Sequence, residues 1–448
     1  MQKSIVIIGN GITGITAALN IRKRSNDRIT VISSESKYFF SRTALMYVFM
    51  GHEKLESIQP YENRFWDKNR IELIQDYVIF IDVKNNSVNL SGGITLKFDK
   101  LIIATGSRSN KFGWKGQDLK GVQGLYSLQD LELLENISKN VKRCVIAGGG
   151  LIGIELAEMM RSRKIDVTIL VRESSYWNNI LPAEESGMVN RHILDHHIDL
   201  KLSSELSEIV SDENNTVKSV ITKSGEEIKC ELVGLTAGVS PNTEVVKNTE
   251  IEFNRGILVN EFLETNIENV YAAGDCAEFR NAFPHRKNIE QVWYTGRMQA
   301  EALAQTICGK RTAYDPGVWF NSAKFFDIEY QTYGSVNMNI KGEKNLYWEH
   351  KDGQKSIRIV YTDEGVIGFN LMGIRYRQEV CVKWIEEKRS IQFVLENLGE
   401  ANFDPEFFKQ YESDITDKYN SENPGKKIIL KRKRRLYNSV FNNSKSKI

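Results

Sequence analysis

Sulfur is scarce in this chain. Its 448 residues include five cysteines, Cys144, Cys230, Cys276, Cys308 and Cys381, far apart and without a single C-x-x-C pair. That spacing excludes a disulfide framework, a zinc ribbon and an iron–sulfur cluster, all of which need grouped thiolates. A reducing, cytoplasmic compartment is the expectation. Prolines number only 7 and hydrophobic residues make up 41%, which excludes collagen-like, mucin-like and disordered chains. No stretch reaches the roughly 20 apolar residues of a membrane span, and the apolar run at 5–8 is too short for a secretory leader.

A surplus of one charge is also missing, with 60 basic residues against 58 acidic ones. The balance hides an asymmetry: residues 425–448 hold nine basic side chains and no acidic one, which leaves −7 on the rest. Such a block reads as an interaction tail or a solvated end. With its narrow stripe of Ile429, Leu430, Leu436, Tyr437, Val440 and Phe441 it has the composition to sit peripherally on an anionic membrane surface, or it is simply a solubilising end. No aromatic stacking platform stands beside it, so no nucleic-acid partner is expected.

What the chain does contain is a repeated cadence. Short Ile/Val-rich runs occur at 4–8, 29–33, 101–104, 143–147, 167–171 and 232–235, several followed by glycine and a helical pattern. Parallel sheets covered by helices read this way. Helical patterns at 11–23 and 151–163 each open from a Gly-rich turn, so the chain looks internally duplicated. Alternating stretches at 217–221, 226–230 and 345–361 predict antiparallel strands. Aromatics crowd from Trp319 onward and mark a further domain.

The two turns carry the chemistry. In the first, Ile5-Val6-Ile7-Ile8 runs into Gly9-Asn10-Gly11-Ile12-Thr13-Gly14 and a helix. Gly9 permits the tight turn, Gly11 lets backbone amides approach a pyrophosphate, and Gly14 lets helix and strand pack closely. The next strand ends at Glu35, an acceptor placed for a ribose hydroxyl. The second turn, Gly148-Gly149-Gly150-Leu151-Ile152-Gly153, repeats the pattern behind strand 143–147. Two such turns imply two dinucleotides, and a resident flavin with a visiting nicotinamide is the simplest pair, because a flavin accepts a hydride and releases electrons singly or in pairs. After the second turn the strand ends in Arg172-Glu173. An acid there favours NADH, an Arg accommodates the 2′-phosphate of NADPH, and a surface ion pair unrelated to either remains the third reading.

At this point the sequence resembles the flavin-dependent pyridine nucleotide–disulfide oxidoreductase superfamily. Further motifs follow in that family's order: Ala104-Thr105-Gly106, then 234–242 with Gly238 before Pro241-Asn242, then Gly274-Asp275. The resemblance implies FAD and NAD(P)H as cofactors, and an Asp275 carboxylate bonded to the flavin's ribityl chain. It implies an α/β fold of two Rossmann-like dinucleotide-binding domains and a C-terminal α/β domain. The boundaries expected are 1–112 with 242–318 for FAD, 113–241 for NAD(P)H, 319–424 for the C-terminal domain and 425–448 for the basic tail. The C-terminal domain resembles the family's interface domain, which leaves a homodimer open.

One departure directs the mechanism. Disulfide-reducing members carry a redox cysteine in the helix after the first ribose-binding strand, where this chain reads Phe39-Phe40-Ser41-Arg42-Thr43-Ala44-Leu45-Met46-Tyr47. Without a thiolate, disulfide and thiol-peroxide reduction are disfavoured. The segment looks instead like the Cys-free branch that includes rubredoxin and ferredoxin reductases and the flavin module of nitrite reductase large subunits. There Arg42 would stabilise negative charge on the flavin or its phosphates, unless it is a solvated helix-start residue. Glu155 in the second helix matches a carboxylate near the nicotinamide, although an acid in a first helical turn also suits the helix dipole. Trp293 precedes a helix that points at the flavin in this family, or it packs in a core. The pair His192 and His196 has helical metal-ligand spacing but no third ligand type nearby in sequence, and no metal is expected.

The function expected is therefore an FAD-dependent NAD(P)H:acceptor oxidoreductase. It passes hydride from nicotinamide to FAD and electrons on to a redox partner such as a rubredoxin- or ferredoxin-type protein. The alternatives are a peripheral NADH:quinone oxidoreductase and a non-catalytic NADH-sensing flavoprotein.

Overall fold

A computed structural model describes residues 2–338, 340–403, 406, 407, 409–425 and 427–431. Most of the basic tail, including Leu436, Tyr437, Val440 and Phe441, lies outside them. The chain divides into two compact units, Met1–Asn178 with Val189–Gly317 and Asn179–Met188 with Val318–Ile448.

The first unit is built from the β-branched runs. Ile5, Val6, Ile7 and Ile8 are all buried, and a strand apolar on both faces must lie inside a parallel sheet with cover on each side. Its sheet runs Val270–Ala272, Lys100–Ile103, Ser4–Ile8, Arg28–Ser33, Ile71–Gln75, every pair parallel. The helix Ile12–Arg22 lies against the helix Trp293–Ile307. A second parallel sheet runs Asp199–Lys201, Asp166–Leu170, Arg143–Ala147, Leu232–Leu235, Val122–Gln123, with the helix Leu151–Ser162 after its central strand. Each sheet is accompanied by a three-stranded antiparallel meander, Val78–Asp82 to Thr95–Lys97 in one half and Leu206–Ser211 to Glu227–Lys229 in the other. The architecture has the parallel sheets covered by helices that the runs predicted, arranged as the α/β fold with two Rossmann-like halves that the resemblance implied.

The second unit holds an antiparallel sheet ordered Phe320–Phe325, Ile328–Gly334, Gly365–Met372, Ser356–Thr362, Lys344–Glu349. Alternation gives it two different faces. Leu346, Trp348, Ile357, Ile359, Phe369 and Leu371 form an apolar core with residues of the helices Gln378–Glu386, Ile391–Glu396 and Glu412–Glu422. Arg358 and Asn370, paired across neighbouring strands, meet the fully buried Glu185, which accepts from the guanidinium Nε and one Nη along a single edge at 2.8 and 2.9 Å. Packing continues past Pro424: Ile428 is buried, clasped at 2.9 Å by both atoms of the Asn420 amide, and Lys431 N–H donates to the Glu396 carbonyl. Among the described residues no helix is long and apolar enough to cross a membrane.

Candidate functional site

The two glycine turns sit at the carboxyl ends of the central strands, where ligands bind in open α/β sheets. Gly9 has φ +110° and a Cβ there would collide with the Ala104 carbonyl; its N–H donates to the Ile32 carbonyl at 2.7 Å. Gly14 backs closely onto the Gly9 carbonyl. Gly11 differs, because a Cβ there would meet nothing within 4 Å. It opens the helix Ile12–Arg22 with no side-chain cap, so the free amides of the first turn face open space.

That space is a cavity of about 600 Å³ lined by Gly9, Gly11, Glu35, Arg42, Ala104, Thr105, Gly106, Asp275 and Trp293. The structure thus gathers nine residues singled out from sequence. Gly274, with φ +79°, stands beneath it against the Thr13 side chain. Trp293 begins the helix Trp293–Ile307, which also lacks a side-chain cap.

One polar chain crosses the cavity. Glu35 takes two guanidinium nitrogens of Arg42 at 2.8 and 2.5 Å and the Leu128 N–H at 2.8 Å. Arg42 also donates to the Tyr126 carbonyl, and its guanidinium lies 4.6 Å from the Tyr126 ring centroid. Burial works against the Arg42 charge, but the bonds to Glu35 and its negative charge outweigh it and hold the pKa above the ordinary value. The Tyr126 hydroxyl accepts from the Ser107 N–H, the Ser107 hydroxyl donates to Asp275, and the Gln291 amide donates to Ser107. Burial raises the Asp275 pKa, while Ser107 and Arg42 pull the other way. Burial, with Asp275 adding, pushes the Tyr126 phenol up to about 12, so it stays neutral.

Sequence reasoning missed Tyr126, Ser107 and Gln291. A signal for the first existed: Ser127 and Asp130 form a capping box at the start of the helix Leu128–Ile137, and Asp130 also takes the Tyr126 N–H. An S-x-x-D pattern fixes the chain entering a helix.

The second turn reproduces the first. Gly148 has φ +136°, its N–H donates to the Leu170 carbonyl at 3.0 Å, and a Cβ there would lie 2.6 Å from Thr236 backbone atoms. Gly153 backs onto the Gly148 carbonyl, and a Cβ on Gly150 would again meet nothing within 4 Å. The Tyr176 hydroxyl, fully buried, donates to the Gly150 carbonyl at 2.7 Å, a contact with no motif behind it. Glu155 is half-buried in the second turn of its helix rather than the first, so the dipole of the helix start does not account for it. Burial, helped by Glu158, raises its pKa to about 7.

Gly9 and Gly148 bond to Ile32 and Leu170 in the same way, so Glu35 and Glu173, each three residues further on, occupy equivalent places. Glu173 is paired with the largely exposed Arg172 at 2.8 Å. Gly238, φ +95°, accepts from the Asn110 N–H next to the strand pair Val239–Pro241 and Ser107–Ser109. His192 is buried, and the His196 ring Nδ1 lies 2.8 Å from its carbonyl.

The family described as pyridine nucleotide-disulphide oxidoreductase matches residues 3–300. The chain belongs to that family. It is 31% identical over 315 residues to the NADH-rubredoxin oxidoreductase of Clostridium acetobutylicum, covering 69% of this chain and 76% of that one. It is 28% identical over 376 residues to the nitrite reductase [NAD(P)H] of Bacillus subtilis, covering 83% of this chain and 46% of the relative. In fold it is similar to the NAD-dependent persulfide reductase from A. fulgidus, with TM-score 0.82, 22% identity and coverage of 94% and 83%. The chain spans about half the length of the first curated relatives it matches.

Members of this family use FAD and NAD(P)H, and the residues present fit both. Each turn offers an open cradle over a glycine and uncapped helix amides for a pyrophosphate. The first adds a carboxylate–hydroxyl pair, Asp275 and Ser107, suited to a polyol chain.

Proposed function

We propose that this chain is an FAD-dependent NAD(P)H:acceptor oxidoreductase that hands electrons to a separate redox protein of rubredoxin or ferredoxin type. The observation that carries the reading is the doubled dinucleotide cradle combined with an FAD cavity that no cysteine lines. Bound FAD would supply a centre that takes two electrons together and releases them singly or in pairs.

The chain's own residues supply binding and electrostatics. The Gly11 turn and the amides opening Ile12–Arg22 hold the pyrophosphate. Glu35 receives a ribose hydroxyl while Arg42 compensates its charge. Asp275, oriented by Ser107, takes a ribityl hydroxyl, and Trp293 with the free end of its helix closes the cavity. In the second half, the Gly150 turn holds the nicotinamide's pyrophosphate and Glu155 offers a carboxyl group to the carboxamide or ribose. Arg172 and Glu173 together face the adenosine end, where the choice between NADH and NADPH is made. With no cysteine lining the cavity, an acceptor has to reach FAD directly. The relative named for rubredoxin favours a rubredoxin-type partner ahead of a quinone. Association of two copies through the second unit, and contact of the basic end with anionic lipid, are finer proposals that this reading leaves standing.

The test is anaerobic reoxidation of the FAD-loaded, NADH-reduced protein by rubredoxin, by a ferredoxin and by a short-chain quinone. Saturable, fast reoxidation by one of the iron proteins carries the proposal. Preference for quinone replaces it with the alternative acceptor, and slow reoxidation by all three indicates a sensor.

A further inference from the structure

Arg163 ends the helix Leu151–Ser162 as its C-cap residue, and no motif draws attention to it. Its side chain nevertheless joins three helix ends. One terminal nitrogen donates to the Ser138 hydroxyl at 2.8 Å, and the other donates to the Phe49 carbonyl at 2.8 Å and to the Glu135 carboxylate at 2.7 Å. The guanidinium carbon lies 3.5 Å from the centre of the Phe49 ring, a stacked cation–π contact. Phe49 is buried and closes the helix Leu45–Phe49, and Ser138 is buried just after the helix Leu128–Ile137.

These three helices are anchored at their other ends in the two cradles. Leu45–Phe49 follows directly on the turn Arg42–Ala44, whose Arg42 grips Glu35. Leu128–Ile137 begins with the Leu128 N–H on the same Glu35 carboxylate. Leu151–Ser162 begins at Gly150, the open glycine of the second turn, and carries Glu155. The residues Arg42, Glu35, Leu128, Glu135, Arg163 and Phe49 therefore close a ring of contacts. From that ring the helix Leu151–Ser162 projects to the nicotinamide cradle as a strut about 18 Å long.

We propose that Arg163 is a positioning residue for electron transfer between the two dinucleotides: it fixes the far end of the strut to the FAD-site helices, and so sets the approach of the nicotinamide to FAD. The inference rests on the proposed function and deepens it. A planar guanidinium can satisfy three acceptors and stack at once, which a lysine ammonium cannot. Transfer between two bound rings depends steeply on their separation, and a misplacement of about 1 Å reduces rate by up to about a hundredfold.

The experiment compares the FAD-loaded parent with R163A, R163K and E135Q by anaerobic stopped-flow bleaching of the flavin band across NADH concentrations. FAD stoichiometry and hydrogen exchange at residues 45–51 are measured alongside. We expect R163A to lower the limiting bleaching rate about tenfold or more, with FAD retained and the half-saturating NADH concentration changed by less than about threefold. R163K should fall between R163A and the parent, and exchange at residues 45–51 should rise in R163A. E135Q removes the negative charge from one acceptor and keeps the other contacts, so it tests the ring even where R163A does not fold; about a threefold lower limiting rate is expected. Limiting rates within twofold of the parent in the variants that fold overturn the inference alone. A parent whose flavin neither NADH nor NADPH bleaches overturns the proposed function and this inference with it.

Discussion

The Glu35 carboxylate is shared between Arg42, which meets it through two nitrogens at 2.8 and 2.5 Å, and the Leu128 amide at 2.8 Å. One acid, just past the second strand of the first cradle's sheet, thus ties that strand's end to the turn before one helix and to the start of another.

Removing the guanidinium leaves Glu35, only 17% exposed, without its counter-charge. Arg42→Met should lower unfolding stability by on the order of 2 kcal/mol. The double variant with Glu35→Gln should recover part of that. Chemical denaturation of the FAD-free protein checks both, and equal stability of Arg42→Met and the parent contradicts the assigned pairing.

The two open glycines should separate the two ligands. A Cβ on Gly11 or Gly150 touches no protein atom, so Gly11→Ala and Gly150→Ala should stay folded, with stability changed by less than about 1 kcal/mol. Gly11→Ala should lose FAD on gel filtration. Gly150→Ala should keep FAD and bind nicotinamide at least about tenfold more weakly, measured by titration calorimetry. Gly9→Ala, in contrast, drives a Cβ into the Ala104 carbonyl and should not accumulate as folded protein.

Glu155 makes stability depend on pH with a definite sign. Its folded pKa is raised to about 7, above the ordinary carboxylate range, so between roughly pH 4.5 and 7 the folded state binds the proton that the unfolded state has lost. Its contribution is therefore most favourable at low pH, declines as pH rises through that window, and is flat above it. Glu155→Gln should be more stable than the parent at pH 8, by about 1–3 kcal/mol, and indistinguishable at pH 4. Thermal unfolding across that range provides the check. No gain at pH 8 would mean that the carboxyl titrates normally.

In the second unit Glu185 is wholly buried against Arg358. Arg358→Met strands that carboxylate and should destabilise this unit by about 3–5 kcal/mol, read as faster hydrogen exchange in the strands Ser356–Thr362 and Gly365–Met372. Adding Glu185→Met should restore protection, since an apolar pair of similar volume avoids the desolvation of two charges.

The fold was readable wherever a local rule governs the backbone. Runs such as 4–8 and 143–147 are apolar on both faces, and only a covered parallel sheet satisfies that. The G-x-G-x-x-G turns were readable because each glycine answers a steric demand within a dozen residues. Gln291 and Arg163 were not, because their partners lie far along the chain, and the capping box that fixes the backbone at Tyr126 says nothing of where its phenol points. The Tyr126 phenol meets Ser107, and Arg163 meets Phe49 across 114 positions, contacts that no periodicity encodes. Ile428 escaped notice although it opens the apolar run Ile428-Ile429-Leu430: the helical stripe read from the sequence begins at Ile429, whereas the backbone of Ile428 is held through two hydrogen bonds by the Asn420 amide, a contact no stripe encodes. The sequence placed an acid after each turn's next strand, and the strand register fixes Glu173, one residue past Arg172, as the counterpart of Glu35.

The central claim is that the first cradle holds FAD within reach of a nicotinamide in the second, with no thiol between them. Anaerobic titration of the purified, FAD-reconstituted protein with NADH, before and after alkylation of its cysteines, tests this most directly. One FAD per chain, bleached by one equivalent of NADH at the same rate after alkylation, is the result predicted. A protein that takes up no FAD, or one whose bleaching stops once its thiols are blocked, would contradict it.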